Sequence, residues 1–132
     1  MMRRFSIRTT RRIEFVDITD QVRAALKASG VPAGVCVVFC PHTTAGLTIN
    51  ENADPAVVKD MSAALSGLVP ADAGYAHAEG NSDSHIKSSL FGPTLSVIVE
   101  DGDLRLGAWQ GIYFCESDGP RQRECWVKIV RG

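Results

Sequence analysis

Three histidines, His42, His77 and His85, are the side chains of this sequence best suited to hold a metal ion. Three imidazoles are the ligands that a zinc site with an open fourth position uses, water or substrate taking the open position. The spacing of His77 and His85 matches neither a helical pair nor a zinc finger. A structural, hydrogen-bonded role for each histidine therefore stays open beside the metal site.

Amide and carboxylate side chains lie close to the histidines in the sequence. Asn50 and Glu51 follow His42 after a short apolar segment, and Asn81 lies between His77 and His85. Such groups orient metal ligands and hydrogen-bond substrates. Together they favour a functional site over three unrelated structural histidines.

The elements that must position these residues follow from the apolar pattern. Residues 35–40 form a continuous apolar run that predicts a buried strand, and Pro41 cannot extend its ladder, so His42 should emerge at the strand end. Residues 47–50 alternate and predict a second strand. Residues 70–83 lack periodicity and predict a long loop, which carries His77, and residues 84–90 predict a short helix, which carries His85 and Lys87.

Two further helices are predicted to be structural. Thr19 is the expected N-cap of a helix through about Ser29, with Gly30 as its stop. Asp54 and Pro55 are a typical helix start. The apolar stripe of this later helix is predicted to be core, and it comprises Val58, Met61, Leu65 and Leu68.

The last third of the chain is rich in strand patterns, with a hairpin turn at Asp101 and Gly102. Strands, then helices, then strands predict an α+β fold of two packed, mainly antiparallel sheets, sandwich-like, with helices outside. We expect residues 1–132 to form a single domain. A TIM barrel is excluded, because it needs at least roughly 200 residues.

Charge and cysteine content bound the class of protein. Fourteen basic and fifteen acidic residues give a net charge of −1, so no general grip on nucleic acid is expected. The N-terminal arginines, including Arg11 and Arg12, are predicted to lie on the outward faces of two edge strands, with an arm that binds nucleic acid as the less favoured alternative. No apolar run approaches the roughly 18 residues of a membrane span, and no signal peptide is evident, so a soluble, cytoplasmic protein is expected. The four cysteines lack C-x-x-C spacing and are predicted to be reduced, although Cys115 and Cys125 could face each other across the final hairpin.

Two other segments carry candidate binding residues. Arg121 and Arg123 follow Gly119 and Pro120 on one predicted strand face, which suits a clamp for phosphate or carboxylate; a solvated strand edge is the alternative. Trp109 lies between glycines that would let backbone approach a ligand or a neighbouring subunit, and packing is the alternative there.

Several motifs in fixed order resemble those of the YjbQ family, often labelled secondary thiamine-phosphate synthase. The resemblance spans nearly the whole chain and rests on residues 42–45, 49–55, 77, 79–81, 84–90, 106–112 and 119–121. It implies a homotrimer with clefts between subunits and a metal held by histidines, zinc being the usual suggestion. The implied activity joins a hydroxymethylpyrimidine diphosphate to a thiazole phosphate, and in the family this activity is regarded as secondary.

Carried onto this sequence, the resemblance makes His42, His77 and His85 the metal ligands. The residues given catalytic roles are His42, Glu51 and His85. The residues expected to bind the phosphorylated substrate are Asn50, Asn81, Lys87, Trp109 and Arg121. Zinc is the favoured metal, and magnesium is the alternative for a diphosphate substrate. No membrane or nucleic-acid partner is expected.

Two classes of function stay open from the sequence. An enzyme acting on phosphorylated heterocycles is favoured. A trimer that binds metal and a phosphate ligand without catalysis is the alternative, and removal of the metal separates the two.

Overall fold

Two antiparallel sheets with helices around them make up the fold, as predicted for an α+β sandwich. The computed structural model describes residues 2–132. Along these residues the elements follow in the order β1 (Met2–Arg8), β2 (Glu14–Asp17), α1 (Thr19–Ser29), β3 (Gly34–Phe39), β4 (Ala45–Glu51), α2 (Pro55–Leu68), α3 (Ser82–Phe91), β5 (Thr94–Glu100), β6 (Asp103–Leu104), β7 (Gln110–Glu116) and β8 (Gln122–Arg131). No helix in this part of the chain is long and apolar enough to cross a membrane.

The core lies between the two sheets. One sheet has the strand order β1-β8-β3-β5-β6, and the other has the order β2-β7-β4. In the first sheet Val38 pairs with Val127, and in the second Leu47 pairs with Phe114; all four side chains are buried. Alternation along each strand therefore sends one set of side chains into a shared core, as the sequence pattern predicts.

Helix α1 closes one part of this core. Val22 and Leu26 are buried, and Gly30 ends the helix in the left-handed conformation with φ 68°. Thr19 is not the cap that the sequence suggests but the first helical residue. The carboxylate of Asp17 accepts hydrogen bonds from Thr19 N at 3.0 Å and from Thr19 Oγ1 at 2.6 Å, so Asp17 satisfies one of the free N–H groups at this end.

Helix α2 begins as predicted but packs differently. Asp54 accepts a hydrogen bond from Ala56 N at 2.9 Å, and Pro55 is the first helical residue. The prediction that the apolar stripe of α2 is core is wrong, since no residue of α2 is buried and Leu68 is 74% exposed. Periodicity gives the apolar face of a helix, whereas burial also requires an element that covers this face.

Helix α3 begins two residues earlier than predicted and lies directly on the second sheet. Gly46 of β4 permits this approach, because a Cβ atom there would lie 2.8 Å from Cβ of Phe91 and 3.0 Å from the carbonyl oxygen of Gly92. The backbone N–H of Leu47 also donates to Gly92 O at 3.0 Å. The predicted loop before α3 is present and carries His77.

All four cysteines are buried and unpaired, as expected for reduced thiols. Cys115 lies on β7 and Cys125 on β8, and these strands belong to different sheets, so the two residues do not face each other across a hairpin. Burial raises the pKa of Cys36 and of Cys40 to about 11. The thiols therefore act as small apolar side chains in the core.

Candidate functional site

Two of the three histidines meet at the surface. The rings of His77 and His85 lie edge to face with centroids 5.4 Å apart. His77 is placed by the loop after α2, and His85 by the first turn of α3. Loop and helix thus bring together two imidazoles that are eight positions apart in the sequence.

A concave surface opens beside this histidine pair. Its volume is about 410 Å³, and its lining includes Tyr75, Ser82 and Ile86 besides the two histidines. The hydroxyl of Tyr75 donates to Pro70 O at 2.7 Å, which anchors the loop that carries His77. A carboxylate oxygen of Glu79 lies 3.7 Å from Nε2 of His77. The arrangement can hold a cation or receive hydrogen bonds from a small ligand.

His42 occupies the end of the sandwich, where β3 stops. Its Nε2 lies 3.0 Å from Glu124 N and 3.1 Å from Glu124 O, and its ring packs edge-on against Phe114. Burial and the nearby Arg123 guanidinium lower the pKa of His42, which favours the neutral ring. In one tautomer Nε2 accepts from Glu124 N; in the other Nε2–H donates to Glu124 O and leaves Nδ1 as the lone-pair atom.

Within one chain, His42 does not complete a site with the histidine pair. Residues 2–132 contain no group of three or more histidine, cysteine, aspartate or glutamate side chains arranged to hold a metal ion. The donor set beside α3 is therefore two imidazoles, which suits zinc chemically but falls short of the three protein ligands of a catalytic zinc site.

Asn81 and Arg121 both bind Asp118. Asn81 Nδ2 donates to Asp118 Oδ2 at 2.9 Å, and an Arg121 nitrogen lies 3.0 Å from the same oxygen. The Arg121 side chain is about half exposed. Asn81 Oδ1 is buried and has no hydrogen-bond partner among the described residues. A buried acceptor without a partner is costly, so it marks a place where a donor would be stabilised.

Lys87 has a different setting from the one that a substrate-binding lysine would need. It is 2% exposed, and its Nζ lies 3.1 Å from Asp83 Oδ2. Arg12 binds the same carboxylate through both of its terminal nitrogens, at 3.1 and 2.9 Å. Arg12 thus fastens the bend after β1 to α3 instead of lying on an outward strand face. The triad was not predicted from the sequence, although the i, i+4 spacing of Asp83 and Lys87 is typical of an ion pair on a helix.

Arg123 is also buried, so it cannot form a clamp with Arg121. Its guanidinium forms an ion pair with Glu116, and it donates to Thr44 Oγ1 at 2.8 Å. The Thr9 hydroxyl donates at 2.9 Å to Glu116 Oε2, which also accepts from Arg123 Nε at 2.8 Å. The alternation along β8 indicates this burial, because Arg123 is in phase with Cys125 and Val127 on the inward face of the strand.

The remaining predicted site residues lie around the end of β4. Asn50 Oδ1 accepts from Glu51 N at 2.8 Å, and the Glu51 carbonyl accepts from the Tyr113 hydroxyl at 3.2 Å. Trp109 is 66% exposed, and its carbonyl accepts from Asn52 N at 3.0 Å. Trp109 can therefore contact a ligand or another subunit, whereas the Asn50 amide oxygen is engaged by the backbone N–H of Glu51.

Known proteins are similar to this chain in both sequence and fold. The model of the family described as UPF0047 protein YjbQ-like matches residues 3–132. A UPF0047 protein of Methanocaldococcus jannaschii is 52% identical over 130 residues, covering 98% of this chain and 94% of the relative. The UPF0047 protein YugU of Bacillus subtilis is 50% identical over 131 residues, covering 98% and 99%.

Solved structures agree with this relationship. The crystal structure of a YjbQ/UPF0047 family protein from Clostridium acetobutylicum has a TM-score of 0.95 at 53% identity, covering 96% of this chain and 98% of that one. A YbjQ-like protein of unknown function from Sulfolobus solfataricus has a TM-score of 0.96 at 30% identity, covering 100% and 97%. Sequence and fold agree along the whole matched length, and the chain therefore belongs to the YjbQ-like UPF0047 family.

Proposed function

We propose that this protein is a cytoplasmic, metal-dependent enzyme that joins a hydroxymethylpyrimidine diphosphate to a thiazole phosphate, as its main or as a secondary activity. The observation that supports this proposal is the histidine pair, whose rings lie 5.4 Å apart beside an open concavity. The reaction forms a bond from the thiazole nitrogen to the pyrimidine methylene carbon. The carbon–oxygen bond to diphosphate breaks, and its electron pair leaves with the diphosphate.

His77 and His85 are proposed to hold a divalent metal, zinc in the first place and magnesium as the alternative. When bound, such an ion neutralises charge on a departing diphosphate. His42 is proposed as the third ligand, from a neighbouring subunit. Donation of its Nε2–H to Glu124 O would orient the ring and leave Nδ1 as the ligating atom.

The homotrimer in this proposal has support from exposed apolar surface. Leu68 on α2 is 74% exposed, and Ile98 on the outer face of β5 is 65% exposed. Apolar patches of this kind commonly mark protein interfaces. Subunit contact would bring residues of two chains to one cleft, which is how His42 could complete the metal site.

The substrate-binding residues have unequal support. Arg121 retains exposed guanidinium surface beside Asp118, and Asn81 offers an unpaired acceptor to a ring N–H or amino group. Trp109 is exposed enough to stack on a ring. Glu51 is proposed as a general base, since no hydrogen bond to its carboxylate is seen among residues 2–132. Lys87 is proposed to hold α3 in place through its ion pair with Asp83 and not to bind the substrate.

Metal analysis of protein purified without an affinity tag tests the proposal. We expect about one divalent ion per subunit in the wild type, and loss of this ion together with thiamine-phosphate formation in His77→Ala and His85→Ala. Asp72→Asn, an exposed change in the same loop, serves as the matched control and should keep both. Formation of thiamine phosphate at full rate by metal-free protein would overturn the metal dependence.

The same samples separate the second candidate function. Two imidazoles without a complete ligand set are also compatible with a trimer that binds metal and a phosphate ligand but does not catalyse. Protein that holds the metal, sediments as a trimer and forms no thiamine phosphate would establish this alternative. Sedimentation as a monomer at all concentrations would contradict the trimer in both candidates.

A further inference from the structure

A second concavity, larger than the one beside the histidines, lies between helix α2 and the outer face of the sheet β2-β7-β4. Its volume is about 780 Å³, within the range of small-molecule sites, which is roughly 300–1,000 Å³. None of the three histidines lines it. One face of α2 forms its wall, including Val58, Lys59 and Ala63.

Aromatic rings form part of the floor of this cavity. The rings of Phe15 and Tyr113 lie edge to face with centroids 6.1 Å apart. The Tyr113 hydroxyl donates to Glu51 O at 3.2 Å, which fixes the orientation of this ring. Fixed aromatic surfaces favour a planar ligand over a flexible one.

One end of the cavity presents hydrogen-bond acceptors. Asn52 Nδ2 donates to Asp17 Oδ2 at 3.1 Å, so the direction of this amide is set. The Asn52 side chain lies against Gly111, where a Cβ atom would collide with it. Asn52 Oδ1 accepts no hydrogen bond among the described residues, and Asp17 Oδ2 has capacity for a second one. Asn52 Oδ1 and Asp17 Oδ2 can therefore both accept a hydrogen bond from a ligand at this end.

Cations lie elsewhere on the lining. Arg11 lies beyond the far end of β2 from Asp17, and Lys59 lies on the facing side of α2. In residues 2–132 neither side chain forms an ion pair. The nearby Glu14 carboxylate is instead engaged by Thr10 N at 2.8 Å. Both cations therefore remain available to an anionic group.

We propose that this cavity binds a small aromatic acid that also carries an amino or ring N–H group. The ring packs on Phe15 and Tyr113, the N–H donates to Asn52 and Asp17, and the anion binds Arg11 and Lys59. The anionic group is a carboxylate or a phosphate, which share the recognition by a guanidinium and an ammonium. This site is separate from the histidine pair and does not rest on the function proposed for it.

Calorimetry with four simple probes tests this ligand class. The probes are 4-aminobenzoate and 4-aminophenyl phosphate, which carry both groups, and benzoate and aniline, which each lack one. We expect each two-group probe to bind about tenfold more tightly than benzoate or aniline, the gain of one charged hydrogen bond. Whichever of 4-aminobenzoate and 4-aminophenyl phosphate binds more tightly, here called the better amino probe, identifies the anionic group that the site prefers. Equal binding of all four probes, or binding of none, would overturn the proposal.

Two neighbouring alanines of α2 give a matched pair for locating the site. Ala63 lines this cavity, whereas Ala64 lines the groove on the other side of the helix, towards Leu90. Ala63→Phe should fill the cavity and abolish binding of the better amino probe, and Ala64→Phe should leave it unchanged. Equal binding by both variants would place the probe elsewhere and refute the site.

Charge variants complete the test. Lys59→Gln should weaken the amino probe about tenfold and leave aniline binding unchanged, because aniline has no anion. Asp60→Asn, also exposed on α2 but outside the lining, is the control. His85→Ala should bind the probe like the wild type. This result keeps a failure of the metal proposal distinct from a failure of this one.

Discussion

Helix α3 presents two kinds of ionisable group in opposite surroundings. On its inner face Asp83 and Lys87 are 0% and 2% exposed, and the Asp83 carboxylate binds both Lys87 and Arg12. On its outer face His85 meets His77 beside an open concavity. One helix therefore contributes Asp83 and Lys87 to a buried ion-pair triad and, within one turn of them, His85 to the histidine pair at the surface.

The contrast shows which polar residues hold the fold and which are free for chemistry. A buried charge that is paired within the protein and covered from solvent is not accessible to a substrate. The imidazoles of His77, which is exposed, and His85, which is partly buried, have ring nitrogens that no other described side chain binds closely, apart from Glu79 at 3.7 Å from His77. Stability and ligand binding should therefore respond to different substitutions on the same helix.

The largest effect expected on stability comes from the buried ion pair of Glu116 and Arg123. Glu116→Ala leaves the Arg123 guanidinium buried and uncompensated, so the free energy of unfolding should fall by about 3–5 kcal/mol. Urea unfolding followed by circular dichroism measures this loss. The exposed change Glu100→Ala should lie within about 0.5 kcal/mol of the wild type.

A double variant sharpens the result. Glu116→Leu combined with Arg123→Met removes both charges and should recover most of the lost stability, since a buried ion pair can be replaced by apolar groups of similar volume. If the double variant is as unstable as Glu116→Ala, then Glu116 and Arg123 stabilise the fold by their shape and not by their charges.

A smaller loss is expected at Lys87. Lys87→Met removes one of two cations from Asp83, and Arg12 keeps the carboxylate paired, so we expect a loss of about 1.5–3 kcal/mol. Urea unfolding against the exposed control Lys27→Met checks this value. Loss of phosphate binding without loss of stability would contradict the structural role and return Lys87 to the substrate site.

Acid should also destabilise the protein, because it protonates the buried carboxylates of Asp83 and Glu116. Burial raises the pKa of Asp83, but hydrogen bonds from Arg12 and Lys87 outweigh it and bring the pKa below the usual range; Arg123 does the same for Glu116. Below an unfolded-state pKa of about 4, the unfolded chain then binds more protons than the native one. The stabilisation is complete above that pH and is lost as the pH falls through the lower native pKa values.

Unfolding curves at a series of pH values between about 6 and 3 measure this loss. The Glu116→Leu and Arg123→Met double variant should show a shallower fall, because one depressed carboxyl is absent from it. Identical slopes for the two proteins would show that Glu116 titrates alike in both states.

The smallest effect on stability is expected at the histidine pair of His77 and His85. His77→Ala and His85→Ala should change the free energy of unfolding by no more than about 0.5 kcal/mol, since His77 is 44% exposed and the pair lies at the surface. A loss above about 2 kcal/mol in urea would place the pair among the structural groups and remove the contrast between the two faces of α3.

Local signals in the sequence were sufficient for most of the fold. Alternation along β8 and the cap at Asp54 predicted the correct elements, because these features depend on neighbours within a few residues. The burial of helix faces was not predictable in this way. Helices α1 and α2 have similar apolar stripes, yet Val22 and Leu26 are buried on α1 and no residue of α2 is. Coverage depends on which elements, distant in sequence, pack against the helix.

The candidate site was predictable in part for a related reason. The presence of His77 and His85 near one another follows from a loop that leads into a helix, and the structure places them together. Asp17 and Asn52 are 35 positions apart and meet only because β2 and β4 flank β7. Arg12 and Asp83 are likewise joined by tertiary packing alone. No spacing in the sequence encodes such pairs.

Gly46 lets α3 lie closer to the sheet than any residue with a side chain would allow. Addition of one methyl group there would press on Phe91 and on the carbonyl of Gly92, at the end of the helix remote from His85. A rigid helix lifted at one end pivots, so the imidazole at its other end would change its height above the sheet and its approach to His77. A strand residue with no functional atoms of its own thereby sets the separation of the two rings.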